Sequence, residues 1–175
     1  MTARVVQRGR QFPARRLALV AKRLLDAAPL CALATISSGG HAYINTMYFA
    51  RAEQWDIVWI SAPDSQHSRN LRARSTAAIA VFDSHQRWGG SDRGIQVFGR
   101  ARQLRGNAAR EAFRAYGDRF RDDQAILRRF VAYRLRPTRV KLFDEREFGG
   151  STFVSARVGR DGSLSWERTE QYQDE

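Results

Sequence analysis

The chain's 175 residues allow one domain with a real core, and its 43% hydrophobic content with ten Phe excludes a disordered chain. Its formal net charge of +12 rests almost wholly on arginine, a bias that reads as codon composition in a GC-rich genome and that keeps polyanions among the partners such a surface attracts. The single cysteine, Cys31, excludes an intrachain disulfide and a cysteine-based metal site, and no apolar run reaches the roughly 18 residues of a membrane span; the expectation is a cytoplasmic protein with no membrane partner.

Residues 1–25 hold seven Arg or Lys and no acid. Lys22 and Arg23 interrupt the apolar core that a signal peptide would need, so residues 1–12 read as a flexible basic arm. From Ala14 to Ala28, Leu17, Val20, Ala21, Leu24 and Leu25 recur at helical spacing, with Pro13 at the start and Pro29 at the stop. Leu30 to Ser37 reads as a strand, Ser38-Gly39-Gly40 as a hairpin turn, and His41 to Arg51 as the return strand. A polar turn at Ala52-Glu53-Gln54 leads to a third strand, Trp55 to Ala62.

Pro63-Asp64 ends that strand, and a helical pattern runs from Ser65 to Ser75 with His67, Arg69 and Asn70 in its first turns. Unpaired N–H groups and the positive end of the helix dipole can hold a phosphate at such a place, and the Ser, His and Arg side chains add donors. This helix follows a hairpin and has no Gly-rich loop before it, which points to a phosphorylated cofactor on a β-barrel and away from a Rossmann sheet. Thr76 to Phe82 is a fourth strand. The loop Asp83 to Arg93 carries Trp88-Gly89-Gly90 at its centre and marks Trp88 as a candidate lid. Gly94 to Leu104 alternates strongly as a strand. Asn107 is placed to cap a helix reaching about Phe120, Gln124 to Arg129 reads as a further turn or two, and Phe130 to Asp144 reads as a strand interrupted at Pro137. A last hairpin joins Phe153–Val158 to Ser163–Arg168 through Asp161-Gly162, and residues 169–175 form an acidic tail.

Strands follow strands and helices come singly, so the expectation is a mainly β chain: an antiparallel, Greek-key-like barrel with peripheral helices, a single domain over residues 13–168. His41, His67 and His85 lack metal-ligand spacing, so no metal site is expected. Asp122-Asp123 and the arginines of the late helices and strand read as solvated faces, which sets nucleic acid aside as a partner. No Ser/His/Asp arrangement is present, and no catalytic side chain is assigned.

Three stretches together resemble the pyridoxamine 5′-phosphate oxidase-like, FMN-binding split β-barrel proteins, from about Leu30 to Asp144. They are the meander holding Asn45-Thr46-Met47-Tyr48-Phe49 and Trp59-Ile60-Ser61; the run Asp64 to Leu71 with the strand after it; and Ile95-Gln96-Val97-Phe98-Gly99 with the late strand Tyr133 to Val140. The resemblance implies a homodimer with cofactor sites at the interface and a small-molecule substrate. It implies an FMN-dependent oxidoreductase, with hydride passing at the flavin without a protein acid or base. The positions it matches to the cofactor are Asn45, Thr46, Met47, Ile60 and Ser61 beside the ring, Ser65, Gln66, His67, Arg69 and Asn70 at the phosphate, and Gln96 and Trp88 over the flavin. Two departures stand out. Gln66-His67 replace the Arg-Lys of the authentic oxidase, so His67 beside a phosphate dianion would carry the proton. Ala50 stands where that oxidase has its substrate lysine, so pyridoxamine phosphate is not the expected substrate. The alternatives are an F420-dependent reductase on the same fold, or a non-catalytic flavin or haem carrier with His41 or His85 as axial ligand.

Overall fold

The computed structural model describes residues 2–121 and 129–174. The chain divides into two compact units. One comprises residues 1–28, 80–97 and 138–175, the other residues 29–79 and 98–137.

In the first unit, helix α1 (Ala14–Asp26) buries the five residues its spacing marked, Leu17, Val20, Ala21, Leu24 and Leu25. Arg23, near its end, donates to Asp144 at 2.8 Å and to Glu147 at 2.9 Å. Strands β9 (Thr152–Val158) and β10 (Leu164–Asp174) form the last hairpin, turning at Gly162 with φ of +81° while Asp161 accepts from the Ser163 N–H. The late part of β8 (Val131–Asp144) pairs with β9, Val140 opposite Ala156. A four-residue helix, α4 (Glu145–Phe148), follows β8 and was not expected.

The two ends of the chain differ from the arm and tail read in the sequence. Ala3–Arg8 is a strand, β1, in antiparallel register with the last residues of β10, from Ala3 opposite Asp174 to Arg8 opposite Thr169. The two segments satisfy each other's backbone groups, and Arg8 adds a side-chain bond to Gln171 at 2.9 Å.

In the second unit, β2 (Leu30–Ile36) and β3 (Ala42–Tyr48) form the expected hairpin, closed by Gly40 at φ +87°. The strand order β7-β6-β2-β3 leaves β3 at an edge, where none of its residues is buried. Strand β6 spans Thr76–Phe82 as expected, and β7 spans Arg93–Gln103. The return strand predicted to Arg51 breaks after Tyr48 and resumes as β4 (Ala50–Arg51). Strand β5 (Ile57–Ser61) starts two residues later than the sequence reading, because Glu53–Trp55 form a 3₁₀ turn in which Gln54 and Trp55 take φ of 52° and 68°. It pairs with the early part of β8, Trp59 opposite Tyr133, and their rings stack at 5.5 Å. Pro137 does not break β8: it stands between the residues paired with β5 (131–135) and those paired with β9 (139–143), where its missing N–H costs neither ladder a bond.

Helix α2 (Gln66–Ala73) packs on β2, and α3 (Gly106–Phe120) packs on β4 and β5. Asn107 does not cap α3: the helix begins at Gly106, and the Asn107 side chain accepts from Arg110. The turn read at Gln124–Arg129 falls, but for Arg129, outside the described residues, as do Asp122 and Asp123. The expected antiparallel, mainly β architecture with peripheral helices is what the structure shows.

Candidate functional site

Ser65 organises the start of α2. Pro63 and Asp64 end β5, Ser65 keeps an extended backbone, and its Oγ accepts the Ser68 N–H at 3.4 Å as a helix cap. The Ser68 hydroxyl donates to the Ala62 carbonyl at 2.9 Å, so it accepts from Ser65 Oγ at 2.7 Å. The Ser65 proton is thereby committed. Its oxygen then accepts from the Ser61 hydroxyl at 3.1 Å and pairs with His67 Nε2 at 3.3 Å. His67 Nδ1 is buried and has no hydrogen-bond partner.

His67 is 6% exposed, and burial pushes its pKa below the ordinary histidine value. In the protein alone the loss of hydration opposes the charged form of His67, whereas the expected proton is one that a bound dianion would hold there. Positive charge at this corner comes instead from two arginines. Arg69 donates to the Asp64 carbonyl and to Gln66 Oε1, and Arg72 donates to the Pro63 carbonyl at 2.6 Å. Both hold the loop that enters α2, which puts two cations on that loop beside the positive end of the helix dipole.

Ser61, Ser65, Gln66, His67 and Arg69 thus come together. Asn70 lies behind them, 2% exposed, accepting from Gln66 at 2.8 Å and donating to Thr35 Oγ1 at 3.0 Å, which ties α2 to β2. On β3, Asn45 and Met47 are half-buried opposite Leu33 and Cys31, and Thr46 is exposed opposite Ala32. Ile60 packs against the cluster of Ala112, Tyr116 and Ala132. Ser68, fully buried, was not singled out in the sequence although its place three residues after Ser65 is a capping spacing. No sequence signal marks Thr35.

Gln96 and Trp88 belong to the first unit. Gln96 is half-buried on β7 between buried Ile95 and Val97. Trp88 is fully exposed on a loop organised by Asp83, which accepts from the His85 N–H at 2.9 Å and from Arg93 at 3.2 Å. His85 is 93% exposed and His41 lies exposed at the β2–β3 turn. Among the described residues no group of three or more His, Cys, Asp or Glu is placed to hold a metal. Burial drives the Cys31 thiol up to about 12, which makes it an inert core residue. No helix among the described residues is long and apolar enough to cross a membrane.

The sequence matches the pyridoxamine 5′-phosphate oxidase family over residues 20–144, well over half of the chain, and the chain belongs to that family. No curated protein sequence matches it. Among solved structures it is similar to a conserved hypothetical protein from Mycobacterium tuberculosis, at 20% identity and a TM-score of 0.67 over 82% of this chain and 92% of that one. A haem-binding protein from Mycobacterium smegmatis is similar at 19% identity and a TM-score of 0.69, over 87% of this chain and 61% of that one. An F420 reductase is similar at 21% identity and a TM-score of 0.54, over 68% of this chain and 94% of that one. At these identities the likenesses establish the fold.

Proposed function

We propose that this member of the pyridoxamine 5′-phosphate oxidase family binds FMN with its phosphate at the α2 corner, and acts as an oxidoreductase on a small organic substrate other than pyridoxamine phosphate. The carrying observation is the placing of the Ser61 and Ser65 hydroxyls, the α2 N-terminus and the guanidinium groups of Arg69 and Arg72 about one loop. A phosphate dianion asks for such donors and cations, and hydroxyl protons can rotate to meet it. In this reading Asn45, Thr46, Met47 and Ser61 line the ring, and Ile60 supports the strand from behind. Bound FMN supplies hydride chemistry. The chain's own residues anchor and orient the cofactor and exclude water, with His67 Nε2 beside the Ser65 hydroxyl.

Buried Ala50, 1% exposed, supports setting pyridoxamine phosphate aside, since it offers no charge where the authentic oxidase has its lysine. Exposed Ile44 and Tyr48, which share one face of edge strand β3, support a homodimer that covers this apolar face. The haem-binding and F420-reducing relatives of the fold supply the second reading, in which the same protein carries one of those groups in place of FMN.

Visible absorption titrations with FMN, riboflavin, F420 and haemin test the assignment. The expected result is FMN uptake that Ser65→Ala and Arg69→Ala weaken by at least about tenfold, with riboflavin uptake unchanged by either. Equal weakening for riboflavin would remove the phosphate from this corner. Uptake of F420 or haemin without FMN would replace the cofactor.

A further inference from the structure

A cavity of about 670 Å³ lies within the unit of residues 29–79 and 98–137, between the 53–55 turn, α3 and the early part of β8. Ala108, Ala112 and Ala115 share one face of α3 and, with Val58 and Leu104, give the cavity an apolar wall. The charges of its lining are unevenly placed. Toward solvent, exposed Glu53, Glu111 and Asp118 stand against Arg51 and Arg114, and the small negative excess is screened by water and salt.

Against β5 and β8 the balance is the other way. Arg134 and Arg136 both turn Nε to the one buried carboxylate of Asp56, at 3.2 Å on Oδ2 and 3.5 Å on Oδ1. The Leu104 N–H donates to the Ala132 carbonyl at 2.8 Å, which lays β7 along the start of β8. Arg102 of β7 then adds a third positive charge that acts on both Asp56 and Arg134. Three guanidinium groups thus share one carboxylate. Burial pushes the Arg134 pKa below the usual arginine value; Asp56 opposes that shift, and the charges of Arg136 and Arg102 add to it. Arg134 keeps 18% of its side chain exposed and Arg136 61%, and both line the cavity. With Nε committed to Asp56, each has its Nη groups left over, and among the described residues no other hydrogen bond or ion pair engages them.

We propose that this cavity binds a small carboxylic acid with an apolar body, its carboxylate on the Nη groups of Arg134 and Arg136 and its body along the α3 alanine wall. The paired N–H donors of a planar guanidinium match the two oxygens of a carboxylate. Asp56 is a positioning residue: it fixes both guanidinium planes through Nε and touches no ligand. One added negative charge offsets the local excess at β8, whereas a polyanion would carry its further charges past the carboxylates at the rim. The apolar wall suits an apolar body and offers no partner to a polar one. This site is separate from the α2 corner and does not depend on which cofactor is bound there.

NMR titration of the isotope-labelled full chain tests it, read at the α3 amides. The probes are benzoate and hexanoate, with acetate as the charge without the body and benzamide as the body without the charge. Benzoate or hexanoate is expected to saturate at a Kd below about 10 mM, with acetate and benzamide each at least about tenfold weaker. Arg136→Gln, at a largely exposed position, is expected to weaken binding of the acid at least about fivefold. Ala115→Leu narrows the cavity without touching the ion pairs; it is expected to abolish binding of both acids and serves if Arg136→Gln fails to fold. Absence of saturation by both acids overturns the proposal. So does acetate, benzamide or inorganic phosphate binding as tightly as the better acid, or full affinity retained in either variant.

Discussion

Ser65→Ala removes one oxygen and is the sharpest probe of the α2 corner. The hydroxyl caps α2 through the Ser68 N–H, pairs with His67 Nε2 and receives the Ser61 hydroxyl. Loss of a serine cap costs about 0.5–2 kcal/mol, and the 3.4 Å cap here belongs in the lower half of that range. His67 then has a second buried ring nitrogen without a partner, at a cost of about 1–3 kcal/mol, again toward the low end because the bond it loses is 3.3 Å long. The Ser68 hydroxyl keeps its bond to Ala62 and loses little. The sum is about 2 kcal/mol, or a Tm lower by about 4–8 °C for a chain of this size. Urea denaturation with both variants fitted to a common m-value is the assay, and Ser65→Thr, which keeps the oxygen, is the control expected within about 0.5 kcal/mol of the parent. If Ser65→Ala is itself within about 0.5 kcal/mol of the parent, the hydroxyl network is not what holds this corner.

Three further perturbations check other parts of the reading. At Gly99 an added Cβ would lie 2.1 Å from the Arg136 carbonyl oxygen, a backbone atom that cannot turn away, whereas at Gly117 in α3 it would meet nothing within 4 Å. Gly99→Ala is therefore expected to cost about 3 kcal/mol or more and Gly117→Ala to gain about 0.5–1 kcal/mol, both read by thermal unfolding; the same sign for both would discredit the β7–β8 approach. Cys31, buried with its thiol pushed up to about 12, should leave Ellman's reagent unreacted at pH 8 in native protein and react once in 6 M guanidinium. His67 has a folded pKa below its ordinary 6.5, so the unfolded chain takes up the proton first as pH falls. Its contribution to stability is complete above about 6.5 and is lost below it, toward the lowered folded pKa. Denaturant titrations between pH 7.5 and 5 should show that slope in the parent and a shallower one in His67→Gln.

Local pattern carried the elements whose reasons are local. The β2–β3 hairpin has alternation and Gly39-Gly40, β6 has an uninterrupted apolar run, and α1 has its periodicity between two prolines. What was missed depends on distant partners. Arg4 and Arg8 gave Ala3–Arg8 the look of a solvated arm, and only pairing with the far end of the chain makes it a strand. The short α4 is held by Arg16 and Arg23 reaching from α1 to Glu147. The turn at 53–55 uses positive φ at Gln54 and Trp55, where no glycine announces it. At the site, the Ser65 cap and its neighbours were legible because a helix N-terminus is written in adjacent residues. The burial of His67, the inward turn of Asn70 to Thr35, and the Asp56 cavity were not, since each depends on what packs opposite.

The pairing of β5 with β8 explains how one strand can serve two separate places. Side chains alternate along β5, so Asp56, Val58 and Ile60 share one face while Ile57, Trp59 and Ser61 share the other. Ser61 reaches the α2 corner, and Trp59 stacks on Tyr133, whose ring stands edge-on to His67 at 6.3 Å. On the opposite face, Asp56 and Val58 line the cavity and Ile60 packs on the α3 cluster. The register places Val58 opposite Arg134, which sends Arg134 and Arg136 to the Asp56 face and Tyr133 and Leu135 to the other. A slip of one residue would bury two guanidinium groups beside Trp59 and strip Asp56 of both its cations. The charged residues of the cavity therefore fix the register that also presents Ser61 to Ser65, and the aromatic stack on the far face fixes it from the other side.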